Sequence, residues 1–147
     1  MKSKGARSDY ITERNIELLH RFRQATIASD GDINLTRIVE EIINSPASRF
    51  YISEERAAAV MSAALRDRDI PGHSKSKKEL YGELIARYRA IQETEPGITT
   101  KDAAAMIVRQ PAPKFYLTVG SAKVILHKAK KLEWMKKRKK LLRHIIM

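Results

Sequence analysis

The chain has 147 residues, 43% of them hydrophobic and 31% charged, with a formal net charge of +12 and no cysteine. That length makes one domain or two very small ones, with enough apolar material for a core that needs no covalent staple. The absent thiols exclude disulfides, thiolate metal sites and thiol nucleophiles, and His20, His73, His127 and His144 lack the spacing of metal ligands.

Taken in chain order, residues 1–8 read as a disordered basic tail without the apolar stretch of a signal peptide. A first helix is expected from about Asp9 to Ala28, because Ile11, Leu18, Leu19 and Phe22 fall near helical spacing. Asp30, Gly31 and Asp32 are turn residues that end it. A second helix carries Leu35, Ile38, Val39, Ile42 and Ile43, with Asn34 as N-cap and Pro46 as the stop. Ser53 caps a third, and the first three-helix unit closes near residue 68, ahead of a linker over 69–77.

The same plan returns after the linker. Leu80, Leu84, Ile85, Tyr88 and Ile91 set a helix from about Lys78 to Glu93, and Pro96-Gly97 follows it as a loop. Ala103, Ala104, Ile107 and Val108 belong to a fifth helix capped by Thr99, with Asp102 three residues on, and Pro111 blocks its continuation. Thr118 caps a sixth, which meets no Gly or Pro from Lys130 to Ile146. No strand pattern is present, so the expected fold is all-α: a tandem duplication of a three-helix unit, repeat 1 over 9–68 and repeat 2 over 78–147, ending in a long basic helix.

The duplication is read from self-alignment at an offset of 65 residues, which pairs Ile33 with Ile98, Ile42 with Ile107, Pro46 with Pro111, Ala47 with Ala112, Phe50 with Phe115, Tyr51 with Tyr116, Ala57 with Ala122 and Ala64 with Ala129. Between these lie Arg49/Lys114, Ile52/Leu117, Ser53/Thr118, Val60/Ile125 and Met61/Leu126. The Phe-Tyr pair is expected to plug the seam where three helices meet. The alternative use, stacking on a base, needs an exposed platform with Gly and basic neighbours on strands.

Charge separates the two halves. Residues 1–72 hold 11 basic and 11 acidic side chains, and residues 73–147 hold 18 and 6, so the whole surplus belongs to the second half. Such asymmetry points to a polyanion as partner. Three short helices with a capped last one resemble a helix-turn-helix, whose third helix enters the major groove. However, about seven residues, Ser45 to Tyr51 or Gln110 to Tyr116, separate helices two and three where the motif uses 3–4. The third helix of repeat 1 opens Glu54-Glu55-Arg56, which suits the helix dipole but repels phosphate. Its counterpart opens Val119-Gly120-Ser121, without acid. With Ala122, Ile125, Leu126 and Ala129 toward the core, Gly120, Lys123, His127, Lys131, Trp134 and Arg138 fall on an outer stripe expected to be basic from end to end. Trp134 is assigned to packing ahead of base stacking.

The expected nucleic-acid contacts are Lys114, Lys123, His127, Lys128, Lys131, Lys137, Arg138 and Lys140, the lysines for charge and Arg138 for bidentate phosphate binding. Leu142, Ile145 and Ile146 form an apolar end for oligomerisation. No phosphate loop, Ser/His/Asp arrangement, carboxylate cluster or metal-ligand pair is evident, so neither enzyme nor cofactor chemistry is expected. Apolar runs are too short to cross a bilayer, and no membrane partner is expected.

The stretches Gln110-Pro111-Ala112-Pro113-Lys114-Phe115-Tyr116-Leu117-Thr118-Val119-Gly120-Ser121-Ala122-Lys123 and Ser45-Pro46-Ala47-Ser48-Arg49-Phe50-Tyr51-Ile52-Ser53-Glu54-Glu55-Arg56-Ala57 resemble a group of small uncharacterised basic helical proteins of bacterial genomes, phages and mobile elements. The resemblance implies a bacterial or phage setting and supplies no activity. The expectation is a cytoplasmic or virion-associated, non-enzymatic protein that binds nucleic acid, DNA ahead of RNA. The alternative is a phage structural or assembly component that forms a homo-oligomer and meets an acidic partner.

Overall fold

Short polar caps start most of the helices. Asn34 Oδ1 accepts from the Arg37 amide, and the hydroxyls of Ser53, Ser74, Thr99 and Thr118 accept from Arg56, Lys77, Asp102 and Ser121. The computed structural model describes the backbone of 4–29, 31, 34–68 and 74–146, and the side chains of 10–29, 31, 34–68 and 74–145. Over these residues the protein is all-helical, with α1 (Lys4–Ala28), α2 (Leu35–Ile43), α3 (Glu54–Leu65), α4 (Lys75–Thr94), α5 (Thr100–Ile107) and α6 (Val119–Ile146). Asp30, Asp32, Ile33, the Pro71-Gly72 turn, His73 and the Ile146 side chain, all used in the sequence argument, lie outside the described residues.

Two boundaries move. Helix α1 starts at Lys4, so residues 4–8, expected in a tail, are helical; after Gly5 nothing in that stretch opposes helix formation. Helix α4 starts at Lys75, three residues before Lys78, because Ser74 supplies the cap. The apolar faces follow the periodicity: Leu18, Leu19 and Phe22 in α1, Ile38, Val39, Ile42 and Ile43 in α2, Leu80, Leu84 and Tyr88 in α4, and Ala103, Ala104 and Ile107 in α5 are buried. Leu35, placed on the apolar side of α2, is exposed.

The packing groups these helices otherwise than as the two expected runs of three, 9–68 and 78–147. One compact unit holds α3, α4, α5 and the segments between Asn44 and Leu117, with α1 up to Ile11. The other holds Thr12–Ile43, hence the rest of α1 and all of α2, together with α6. Within the first, α3 packs on both α4 and α5; within the second, α6 packs on α2. The first unit therefore joins α4 and α5 to the helix just before them, α3, and the second joins α2 and most of α1 to the distant α6. A helix-turn-helix requires its third helix to follow the second through a short turn and pack beside it. Here α2 and α3 fall in different units, as do α5 and α6, and the connections run over 44–53 and 108–118. The helix-turn-helix likeness does not hold, because neither third helix belongs to the compact unit of the helix before it and each connection exceeds the 3–4 residues of the motif.

In the first unit these extended segments meet each other. Ala47 N donates to Ala112 O at 2.9 Å and Ala112 N to Ala47 O at 3.0 Å, a single antiparallel bridge, with no strand among the described residues. The aromatic pairs interlock beside it: Phe50 lies 6.3 Å from Tyr116 and Tyr51 lies 6.1 Å from Phe115, both stacked. Phe50 and Phe115 are buried, as expected of a plug, while both tyrosines are half-buried. Arg87 lies 4.7 Å over Phe50 and donates to Gln110, to the Pro111 carbonyl and to Glu83. Tyr116 takes a left-handed φ of 57°, unusual for a bulky side chain and held by the stacking around it.

Candidate nucleic-acid interface

Helix α6 contains ten Lys and Arg residues against one acid, Glu133, so this one element supplies +9 of the +12. Its start is fixed by Thr118, and its first turn holds no carboxylate. Ala122 and Leu126 are buried, with Ile125, Ala129 and Glu133 half-buried on the same side; Lys123, His127 and Lys131 are exposed opposite them. This is the facing that the sequence implied for the helix's first half.

Two cations are tied to the second unit's other helices. Lys123 Nζ donates to Thr36 Oγ1 at 2.7 Å, and Lys130 Nζ sits 4.3 Å above the Phe22 ring. The sole carboxylate is also engaged: the two terminal guanidinium nitrogens of Arg23 donate to Glu133, Nη1 at 3.1 Å. The hydrogen bond to Arg23 holds the Glu133 carboxyl below its ordinary range, against a smaller opposing effect of burial. Nothing acidic on α6 is left to answer the remaining cations.

From Trp134 to Ile145 every residue is exposed, which at about 1.5 Å per residue is roughly 18 Å of helix with no covered face. Trp134, assigned to packing, is 59% exposed, with the Arg138 guanidinium 5.4 Å over its ring. The reason is position: the core face of α6 ends at Glu133, and Trp134 points about 100° away from it. The same geometry corrects the outer stripe. Continued past Lys131 at about 100° per residue, it runs through Trp134, Arg138, Leu141 and Ile145, so it is basic only in its first half.

The proposed contacts are accordingly not one ridge. Lys123, His127, Lys131 and Arg138 share a face, with Lys128 on its flank. Lys137 and Lys140 lie on the side that Ala122 and Glu133 occupy nearer the N-terminus, exposed because the core has ended. Lys114 stands apart in the other compact unit, paired with Glu79 and 5.7 Å from the Tyr116 ring. Its hydrogen bond holds the Glu79 carboxyl below its ordinary range. Lys136, Lys139 and Arg143, not singled out from sequence, are exposed on the distal half. A helical reading continued beyond Glu133 finds them. Leu142 and Ile145 are exposed, and no side chain of Ile146 is described.

Among the described residues no three His, Asp or Glu side chains gather as a metal site, and no helix is long and apolar enough to cross a membrane. No family model, no curated protein and no solved structure matches the chain.

Proposed function

We propose that this is a non-enzymatic nucleic-acid-binding protein, of a bacterial cell, phage or mobile element, that holds DNA in preference to RNA through α6. The fold behind it is a tandem duplication of a three-helix unit in which the two third helices trade places, α3 serving the second pair of helices and α6 the first. The observation that carries the reading is the charge on α6: ten cations, one carboxylate, and that carboxylate already held by Arg23. Like charges at i,i+4 weaken an isolated helix, and phosphates relieve that repulsion. Lys123, Lys128, Lys131, Lys137, Arg138 and Lys140 make the phosphate contacts, and His127, exposed on the same face as Lys123 and Lys131, adds a further contact to the nucleic acid. Lys114, occupied by Glu79, contributes least. The outward side chains of α6 are mostly Lys, with no Asn, Gln or Arg in its first turns, so binding is loosely specific or follows DNA shape.

A second reading, an assembly component of a virion that oligomerises on an acidic partner, is favoured by one observation, the exposed Leu141, Leu142 and Ile145. The triple variant Lys123→Glu, Lys131→Glu, Arg138→Glu separates the two. Duplex-DNA affinity in about 0.1 M salt is expected to fall on the order of 100-fold while the melting transition moves little, since the three positions are exposed. Unchanged DNA binding by this variant contradicts the assignment of the phosphate contacts to these residues, and no duplex-DNA binding by the unaltered chain in 50 mM salt contradicts the nucleic-acid reading.

A further inference from the structure

The far half of α6 has two unlike sides. Trp134, Leu141 and Ile145, 59%, 63% and 77% exposed, line one side at helical spacing, with Met135 and Leu142 beside them. The opposite side of the same turns carries Lys136, Lys137, Lys139, Lys140 and Arg143. Phosphate contacts use the cations and leave the apolar side wet, so nucleic-acid binding does not account for it. Five large apolar side chains left in water along one face mark a docking surface.

Arg138 decides what covers that surface. It sits in the middle of the apolar side, between Trp134 and Leu142 one turn away in either direction, with its guanidinium 5.4 Å over the Trp134 ring. A lipid surface would accept the apolar side chains and the flanking lysines, but it places Arg138 at the deepest point of the buried face. A second copy of the chain would bring Arg138 against its own counterpart and the lysine flanks against each other, with no carboxylate to answer them. A groove on another protein, apolar in its walls and carrying carboxylates on floor and rim, satisfies all three features.

We propose that residues 134–145 of α6 dock as an amphipathic helix into such an acidic, apolar groove of a partner protein, with Trp134, Leu141 and Ile145 as anchors and Arg138 paired to a buried carboxylate. The anchors Trp134, Leu141 and Ile145 take no part in the nucleic-acid reading, and Arg138 is the one residue both readings use, so duplex DNA and such a groove compete for it.

Trp134 is the chain's only tryptophan, so its emission reports this face alone. Calcium-loaded calmodulin, an acidic protein with a Met-rich apolar groove, serves as the probe for the full-length chain. Binding is expected with a blue shift of Trp134 emission. Arg138→Leu is expected to weaken it by at least about tenfold, and the double variant Leu141→Gln, Ile145→Gln by a similar factor, with circular dichroism unchanged for both. The sign of the Arg138→Leu effect separates the occupants, because a continuous apolar face binds lipid and itself more tightly. Three results overturn the proposal: no shift with calmodulin, a larger shift with vesicles of phosphatidylglycerol and phosphatidylcholine that Arg138→Leu enhances, or a shift that grows with protein concentration alone.

Discussion

Helices α3 and α6 begin alike and end differently. Both follow a Pro-Ala-x-(Arg/Lys)-Phe-Tyr segment, and both start on a hydroxyl cap, Ser53 or Thr118. Helix α3 then runs 12 residues, buries Ala57, Val60 and Met61, and stops at Leu65 before Asp67 turns left-handed at φ 51°. Helix α6 runs 28 residues, and beyond Glu133 it leaves its core behind. The shared segment fixes where a helix starts and how it is anchored. What the helix offers to a partner is set by the residues after the anchor: two glutamates and a short apolar face in α3, and a lysine-rich extension in α6.

The comparison can be broken most severely by cutting the chain between its halves. Each compact unit draws helices from both sides of residues 69–73, so fragments 1–68 and 74–147 prepared apart are expected to lose most of their cooperative helical structure and to regain it on mixing. Two fragments that each melt cooperatively alone would contradict the packing described above. A smaller effect separates a buried aromatic from an exposed one. Phe50→Ala, which empties a fully buried site stacked on Tyr116, is expected to cost about 3–5 kcal/mol by urea denaturation. Trp134→Ala is expected to stay within about 0.5 kcal/mol. Equal losses at the two sites would mean that the far half of α6 is packed after all.

The caps sharpen the comparison further. Ser53→Ala and Thr118→Ala are each expected to remove about 1 kcal/mol, since each hydroxyl accepts from an amide three residues on. Thermal melts showing loss at one cap only would show that the two helices are not started by the same device. The smallest effect is acid sensitivity. Arg23 and Lys114 hold Glu133 and Glu79 below the ordinary carboxylate range, so the stability they add is present above the unfolded-state value of about 4.3 and is lost as pH falls through the lowered ones. The melting temperature is thus expected to be flat between about pH 7 and 5 and to drop below about pH 4, with a shallower drop in Glu133→Gln and Glu79→Gln. At the alkaline end burial pushes the Tyr116 phenol up to about 12, so stability is expected to decline from about pH 10, where the unfolded phenol ionises first. Tyr116→Phe should remove that limb of the pH profile.

Local structure was legible in the residues because its causes are local. Asn34, Ser53, Thr99 and Thr118 cap as their spacing requires, and the apolar periodicity of α2, α4 and α5 names the buried faces. The facing of α6 from Ala122 to Lys131 was legible for the same reason. Which helices pack together was not. Ala57, Val60 and Met61 in α3 and Ala122, Ile125 and Leu126 in α6 are apolar side chains of similar size, so periodicity shows that each needs a core without saying which pair of helices supplies it. The two extended segments, joined at Ala47 and Ala112, determine that choice through hydrogen bonds that leave no mark on composition. Trp134 was misplaced because tryptophan is usually packed; the end of the core at Glu133 depends on how far α6 outruns its neighbours.

The central claim, that phosphates answer the charge of α6, is tested most directly by the salt dependence of duplex-DNA affinity for the full chain and for a chain ending at Glu133. Six phosphate contacts predict a slope of log affinity against log salt of about −5, falling to about −3 when the contacts at Lys137, Arg138 and Lys140 are removed. Identical slopes for the two chains, or no binding by the full chain in 50 mM salt, would contradict it.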